Sequence, residues 1–227
     1  IFNHKTRYNT DEKELKKMIQ PIRLDKNHFE AVHTAIDNVH DLDEQLLRVV
    51  KSEKIMEFDE NTYAILNDCH FHNGIIEVKM LSRLLPDAPD FARGFIGIAY
   101  RISEDNQKFE SFYVRPTNGK SCLDEARKAH GCQYFSYPQY TFAYFRENQI
   151  TRYEAPVEID LDEWISLKAI IQDETAIFYI NDMNQPILTV KDMKHGAELT
   201  GSVGFFVDIG TVAFFKDLQI TAFDDAK

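Results

Sequence analysis

The stretch Glu158-Ile159-Asp160-Leu161-Asp162-Glu163-Trp164 alternates acids with apolar residues. Side chains two apart on an extended strand point the same way. Two carboxyl groups about 5 to 5.5 Å apart, one acting as nucleophile and one as acid, are what cleavage of a glycosidic bond with retention requires. The surroundings favour a plainer role. Trp164 follows at once and opens the apolar run Trp164–Ile171, where it is expected to bury most of its ring between the sheets, so the acids fall on the approach to a strand, at the rim of a sheet. Ile159 and Leu161 can dip inward there while the carboxylates meet water. In a chain with 37 acidic residues such alternation arises readily by chance, and it is read here as a solvated edge.

A second arrangement carries more potential chemistry. If the hairpin after Ile102 turns at Asp105, Ile98 lies opposite Phe112 and Ile96 opposite Val114, giving an apolar face. The other face then holds Gly97 and Ala99 beside Ser111, Tyr113 and Arg115, small residues next to long polar ones. Ser202, Gly204, Phe206 and Asp208 form a similar face, and Glu77 points with Lys79 if Ile76, Val78 and Met80 go inward. These groups can furnish a sugar groove, with aromatic faces for the ring and fixed donors for hydroxyls. Equally, Glu77, Arg115 and Asp208 can form a structural ion-pair network on a sheet that binds nothing.

Cys69, His70 and His72 put two imidazoles on one strand face, but no third ligand is identifiable, so a structural or exposed pair is favoured and no metal is assigned. No EF-hand loop is present. Neither a Gly-x-Ser-x-Gly elbow, a phosphate-cradling glycine loop nor a dinucleotide fingerprint occurs.

The elements that must hold these residues follow a period of two. The runs Gln45–Val50, Tyr63–Leu66, Ile75–Leu81, Gly94–Ile102, Phe109–Arg115, Tyr140–Arg146, Trp164–Ile171, Ala176–Asn181, Ile187–Val190, Ser202–Asp208 and Val212–Thr221 are short, rich in Val, Ile, Phe and Tyr, and bounded by Asn, Asp and Gly. They predict an all-β antiparallel sandwich or barrel. Residues 1–20 are polar, with a short helix possible over Asp11–Met18, and are expected to form an extension to a single domain over 21–227. The 227 residues are 44% apolar and 12% aromatic, enough for a proper core. A net charge of −11 argues against nucleic acid and against an anionic membrane surface. No apolar run reaches the roughly 18 to 20 residues of a membrane-spanning helix. The first residue is Ile1, so an upstream segment removed or left out is expected, and the reading is of an exported protein, with a cytoplasmic one left open. Cys122 and Cys132 could pair across a short loop, or all three thiols could stay reduced.

The series HNGIIEVKML (His72–Leu81), GFIGIAYRI (Gly94–Ile102), KFESFYVRPTNG (Lys108–Gly119), DEWISLKAIIQDETAIFYIND (Asp162–Asp182) and LTGSVGFFVDIGTVAFFKDLQIT (Leu199–Thr221) resembles the concanavalin A-like lectin/glucanase superfamily. The likeness is to its laminin G-like or 3-keto-disaccharide-hydrolase-like branch, and it covers roughly residues 45 to 222. It implies a jelly-roll sandwich whose concave sheet is the ligand face. That face would carry Tyr113 and Arg115, with Arg93, Asn118, Gln133, Tyr134, Tyr140 and Tyr144 lining its loops. The β-glucanases of the superfamily carry Glu-x-Asp-x-(x)-Glu, which EIDLDE fits by letters. Glu158 would then be nucleophile, Asp160 helper and Glu163 acid, but in those enzymes the motif lies in the middle of a long strand. A calcium ion held by backbone carbonyls is a further possibility that the resemblance brings; no other cofactor is implied. The expectation is a non-catalytic, lectin-like domain of a bacterial exported protein with a carbohydrate ligand. The alternatives are a glycoside hydrolase using Glu77 with Asp208, and an adhesion module without a small ligand. Oligomeric state is left open.

Overall fold

Along Ile165–Gln172 every second side chain is buried, from Ile165 through Leu167 and Ala169 to Ile171, while Ser166, Lys168 and Ile170 stay half-exposed. A β-branched run of this period can satisfy its backbone and bury one face only inside a sheet. Repeated along the chain, the pattern builds an all-β antiparallel sandwich. The computed structural model describes residues 22–41 and 44–223; the expected extension over 1–20, with its helix, lies outside them.

One sheet contains seven strands in the order β1 (Phe29–Val32), β4 (Tyr63–Leu66), β13 (Ser202–Val207), β6 (Ile96–Ile102), β7 (Phe109–Val114), β8 (Cys132–Tyr137) and β9 (Glu154–Ala155). The other runs β12 (Leu188–Val190), β11 (Thr175–Ile180), β10 (Ile165–Gln172), β5 (Gly74–Leu84), β14 (Thr211–Ala222), β3 (Glu44–Lys51) and β2 (Thr34–Asp41). The central hairpin has the expected register, with Ile98 opposite Phe112 and Ile96 opposite Val114. Between the sheets Phe112 stacks on Phe178 and Phe205 on Phe215, each pair with centroids 4.1 Å apart.

The two sheets differ in what covers their outer faces. In the second sheet β10 and β11 alternate buried and half-exposed residues. In the first, every residue of β6 and β7 is buried. The outer face of the first sheet carries a second aromatic layer in which Tyr113 packs against Phe206 and Phe135, and Phe109 against Phe135 and Tyr137. The open groove expected above Gly97 and Ala99 is therefore absent. Rings and overlying loops fill that space.

Three further expectations are corrected. Tyr140–Arg146 is not a strand: Phe142–Glu147 is helical, burying Phe145. Phe29–Val32, Thr34–Asp41, Cys132–Tyr137 and Glu154–Ala155 are strands that the pattern did not predict. Trp164 is half-exposed, with Lys216 Nζ 4.5 Å from its ring centroid, because Ile165 takes the inward position of that register. Cys69, Cys122 and Cys132 are free thiols.

The two rings make a test of this register. Phe178→Ala should cost roughly 3 to 5 kcal/mol through cavity formation, whereas Trp164→Ala should cost less than about 1.5 kcal/mol. Urea denaturation of both variants checks this, and a reversed order would place Trp164 between the sheets.

Candidate binding cavity

The EIDLDE segment is loop, not strand. Glu158 is exposed, Asp160 accepts from Ser121 N and Oγ (3.0 and 2.9 Å), and Glu163 takes Asp160 N (2.9 Å) and Lys120 Nζ (2.7 Å). These acids brace a turn. Glu77 lies on the outer face of β5, in the second sheet, at a shallow depression shared with Lys79 and Asp217. Asp208 follows β13 in the first sheet and is fully buried. Its carboxylate takes Lys51 Nζ at 2.6 Å, Ile209 N at 2.7 Å and Asp59 N at 3.0 Å. The structure does not bring Glu77 and Asp208 together, since opposite sheets carry them, and Asp208 has no open face on which to act.

What it does bring together is a group of loops at one end of the first sheet, around a cavity of about 470 Å³. Of the residues singled out in the sequence, Arg93, Tyr113, Arg115 and Asn118 line it, joined by Phe58, Phe91, Phe95, Arg127, His130, Phe142 and Arg146. Gln133 sits behind Arg115. Tyr134 is inward instead: it lies opposite Phe112, and its hydroxyl donates to buried Glu110 at 2.6 Å. Tyr140 and Tyr144 pack edge to face on each other at 5.1 Å and do not line the cavity. Their displacement follows from the helix that replaced the expected strand.

Local sequence explains how these side chains arrive. Two glycines with positive φ let the segment bearing Phe91 and Arg93 lie close to its neighbours. A Cβ on Gly94 (φ 71°) would meet Leu161 Cδ2 at 2.7 Å and Ser82 Oγ at 2.8 Å, and one on Gly210 (φ 70°) would meet Ala92 Cβ at 2.7 Å. Asp124 caps the turn Glu125–Lys128 by accepting from Ala126 N and Arg127 N, which sets Arg127 on the wall. The helix Phe142–Glu147 has no side-chain cap from Thr141; Phe142 N donates instead to Asp59 Oδ2 at 2.5 Å. A distant carboxylate thus satisfies one of the orphan amides at a helix start.

Beneath the cavity runs a polar chain. Arg115 Nη1 donates to Glu154 Oε1 (2.9 Å) and His130 O (3.1 Å), and its Nη2 donates to Tyr113 Oη (2.8 Å) and Gln133 Oε1. Glu154 also pairs with Arg146 at 3.1 Å, and its Oε2 lies 2.9 Å from His130 Nδ1. Burial pushes the Asp59 carboxyl up to about 7; Asp208 adds to the rise, and the Phe142 amide, Arg115 and Tyr113 oppose it. Burial also raises Cys132 to about 12, which keeps that thiol protonated. Arg115 therefore has four of its five donors committed within the protein. The expectation that it offers two hydrogen bonds to a ligand gives way to the network role, with Glu154 as partner in place of Glu77 or Asp208. Among the described residues no group of three or more His, Cys, Asp or Glu is placed to hold a metal ion, and His72 Nε2 lies 2.7 Å from Ala197 O. No helix among them is long and apolar enough to cross a membrane.

No protein-family model and no curated protein matches the sequence. Similar solved structures include the carbohydrate-binding module CBM66 from Bacillus subtilis, at 11% identity and a TM-score of 0.52, covering 85% of this chain and 97% of that one. A protein of unknown function with a galectin-like fold, also from Bacillus subtilis, aligns at 13% identity over 82% and 87% of the two chains, with a TM-score of 0.48. The cellulose-induced protein Cip1 aligns at 12% identity over 88% and 93%, also at 0.48. At 11% identity the likeness to CBM66 speaks for the fold alone. The chain is an all-β sandwich of two antiparallel seven-stranded sheets.

Two outcomes follow from the polar chain. Arg115→Ala takes one of two guanidinium partners from the buried Glu154 and leaves Gln133 Oε1 without its donor, which should cost about 1 to 3 kcal/mol, lowering the melting temperature by several degrees. A melt unchanged to within a degree would show the network to be dispensable. The second concerns Asp59, whose pKa is about 7 folded and 3.8 in the reference state. The folded chain keeps a proton there that the unfolded chain releases. Its stabilising effect is full below about pH 4 and is lost as pH rises towards 7, by at most about 1.4 kcal/mol per pH unit. Asn tolerates the left-handed backbone of this position (φ 57°). Asp59→Asn should therefore gain stability relative to wild type between pH 5 and 7, by about 1 to 2 kcal/mol in urea titrations. A pH-independent difference would mean that Asp59 is ionised throughout.

Proposed function

We propose that this chain is a carbohydrate-binding domain whose ligand enters the cavity beside Tyr113 and Arg115. The observation that carries the reading is the pairing, in one open cavity, of exposed phenylalanine rings with fixed guanidinium donors. Phe58 and Phe91 are 37% and 45% exposed at its mouth, packed edge to face at 5.8 Å. Large rings left in water beside rigid polar groups are how a site supports the apolar face of a sugar while addressing its hydroxyls. The shared sandwich supplies the scaffold, and the cavity's chemistry supplies the function. Among the described lining residues there is no carboxylate, so the pair that a glycosidase needs is not on the wall; this favours binding over hydrolysis. The finer placement, in the laminin G-like or 3-keto-disaccharide-hydrolase-like branch, belongs to the same proposal and rests on the motifs from His72 to Thr221.

A glycan array followed by calorimetric titration tests it. Phe91→Ala should weaken the best saccharide by about 1 to 1.5 kcal/mol, roughly five- to twelvefold, with the melting temperature held because the ring is half in water. Glu77→Gln, on the other sheet, should change nothing. Unaltered affinity in Phe91→Ala would remove the cavity as the site, and an array without a hit would remove the function.

A further inference from the structure

The cavity's charge is out of keeping with the chain that bears it. The protein is acidic, at −11 overall, yet Arg93, Arg115, Arg127 and Arg146 all reach this one wall, with His130 beside them. Two of the four share one carboxylate, Arg115 and Arg146 pairing with Glu154 at 2.9 and 3.1 Å. Arg93 and Arg127 have no carboxylate partner among the described residues. Arg93 Nη1 donates only to the carbonyls of Asp90 (2.7 Å) and Ala92 (2.9 Å). Arg127 donates to Asn118 Oδ1 (3.2 Å from Nη2) and Thr117 O (3.3 Å). Neutral acceptors of this kind fix a guanidinium in place and leave its charge uncompensated.

Gathering like charges costs stability. Burial and the neighbouring Arg127 and Arg115 push the Arg93 pKa down. A chain with 37 acidic residues has many carboxylates that could have answered that charge, and the described structure places none here. The planar fork of arginine matches an oxyanion in two-pronged fashion, and a partly enclosed wall strengthens such contacts over those at an open surface. Phe58 and Phe91 stand at the same mouth, so an anion seated between the arginines would carry a ring against the phenylalanines.

We propose that the ligand is an anionic saccharide, whose carboxylate or sulfate ester is held by Arg93 and Arg127 while its ring lies on Phe58 and Phe91. This rests on the reading of the cavity as a sugar site and adds the charge of the sugar. Because the rest of the protein is acidic, recognition is of one local oxyanion, and a long uniform polyanion gains nothing from the surrounding field.

Trigalacturonate, its fully methyl-esterified form and a sulfated disaccharide, titrated into the whole chain by calorimetry, test it. The ester keeps the shape and removes the charge. Trigalacturonate or the sulfated sugar should bind, and in the uronate arm the ester should bind at least tenfold more weakly. Arg93→Gln and Arg127→Gln should each weaken the charged ligand at least fivefold, and together they should close the gap to the ester. Both variants should melt with wild type, since neither arginine holds an ion pair. Arg83→Gln, on the second sheet, serves as the control and should leave affinity unchanged. Ester and acid binding equally, with both arginine variants unaffected, would overturn the charge assignment and leave the sugar-binding reading standing. Inorganic sulfate binding through the same arginines with no saccharide bound would overturn the sugar reading itself, and this inference with it.

Discussion

The strands β6 and β7 have no face in water, and most of the molecule's particular features follow from that. An antiparallel sheet in a sandwich ordinarily packs one face and wets the other, as the second sheet does here. Once loops and rings close the outer face of the first sheet, each polar group on it must find a partner inside the protein. Ser111 Oγ donates to Ile98 O at 2.9 Å. Arg101, fully buried, donates to the carbonyls of His72, Gly196 and Asp173 and to Asn73 Oδ1, tying together segments far apart in the chain. Arg115 does the same at the other end of the hairpin.

Buried ionic groups are correspondingly concentrated under the first sheet's loops. Lys51 and Asp208 pair at 2.6 Å with side chains almost wholly enclosed. Asp59 lies beside them, linked to Asp208 through its own amide and to the Phe142 helix through its carboxylate. Pairs of this sort add little net stability over apolar packing, but losing one partner is expensive. They therefore fix where the loops lie more than they strengthen the fold. The result is a rigid floor of Tyr113, Arg115 and Glu154, above which Arg93 and Arg127 are held only by neutral acceptors. Floor and rim thus divide the labour: the committed arginines shape the cavity and the uncommitted ones give it its charge.

That division alters how the aromatic residues are to be understood. Tyr113 packs against Phe206 and Phe95 and is part of a second core. The rings exposed at the cavity are Phe58 and Phe91, contributed by loops that follow β3 and β5. Binding groups on loops held by a rigid sheet are a common arrangement, and the glycines at 94 and 210 are what allow the sheet to hold the second of those loops so closely.

The period-two alternation by itself determined the all-β class, antiparallel pairing in a sandwich or barrel, and the register of the central hairpin, because a one-residue slip would turn Ile96, Ile98, Phe112 and Val114 out of the core. The order of motifs, through the resemblance it carries, chose the sandwich over the barrel. Alternation says that a face is different but not what covers it, and so Tyr113 and Arg115 could be placed on one face while the rings and loops packed over them could not. The rings that fill the space over Gly97 come from strands and loops distant in sequence. The helix at Phe142–Glu147 misled for a similar reason: YTFAYF alternates like a strand, and the carboxylate that satisfies its first amide lies 83 residues earlier. Phe58, Phe91, Arg127 and Glu154 carried no local signal at all. Only the tertiary structure decided which arginines are answered by Glu154 and which two have no carboxylate partner among the described residues, since charge compensation depends on distances between segments, and periodicity within one segment does not encode them.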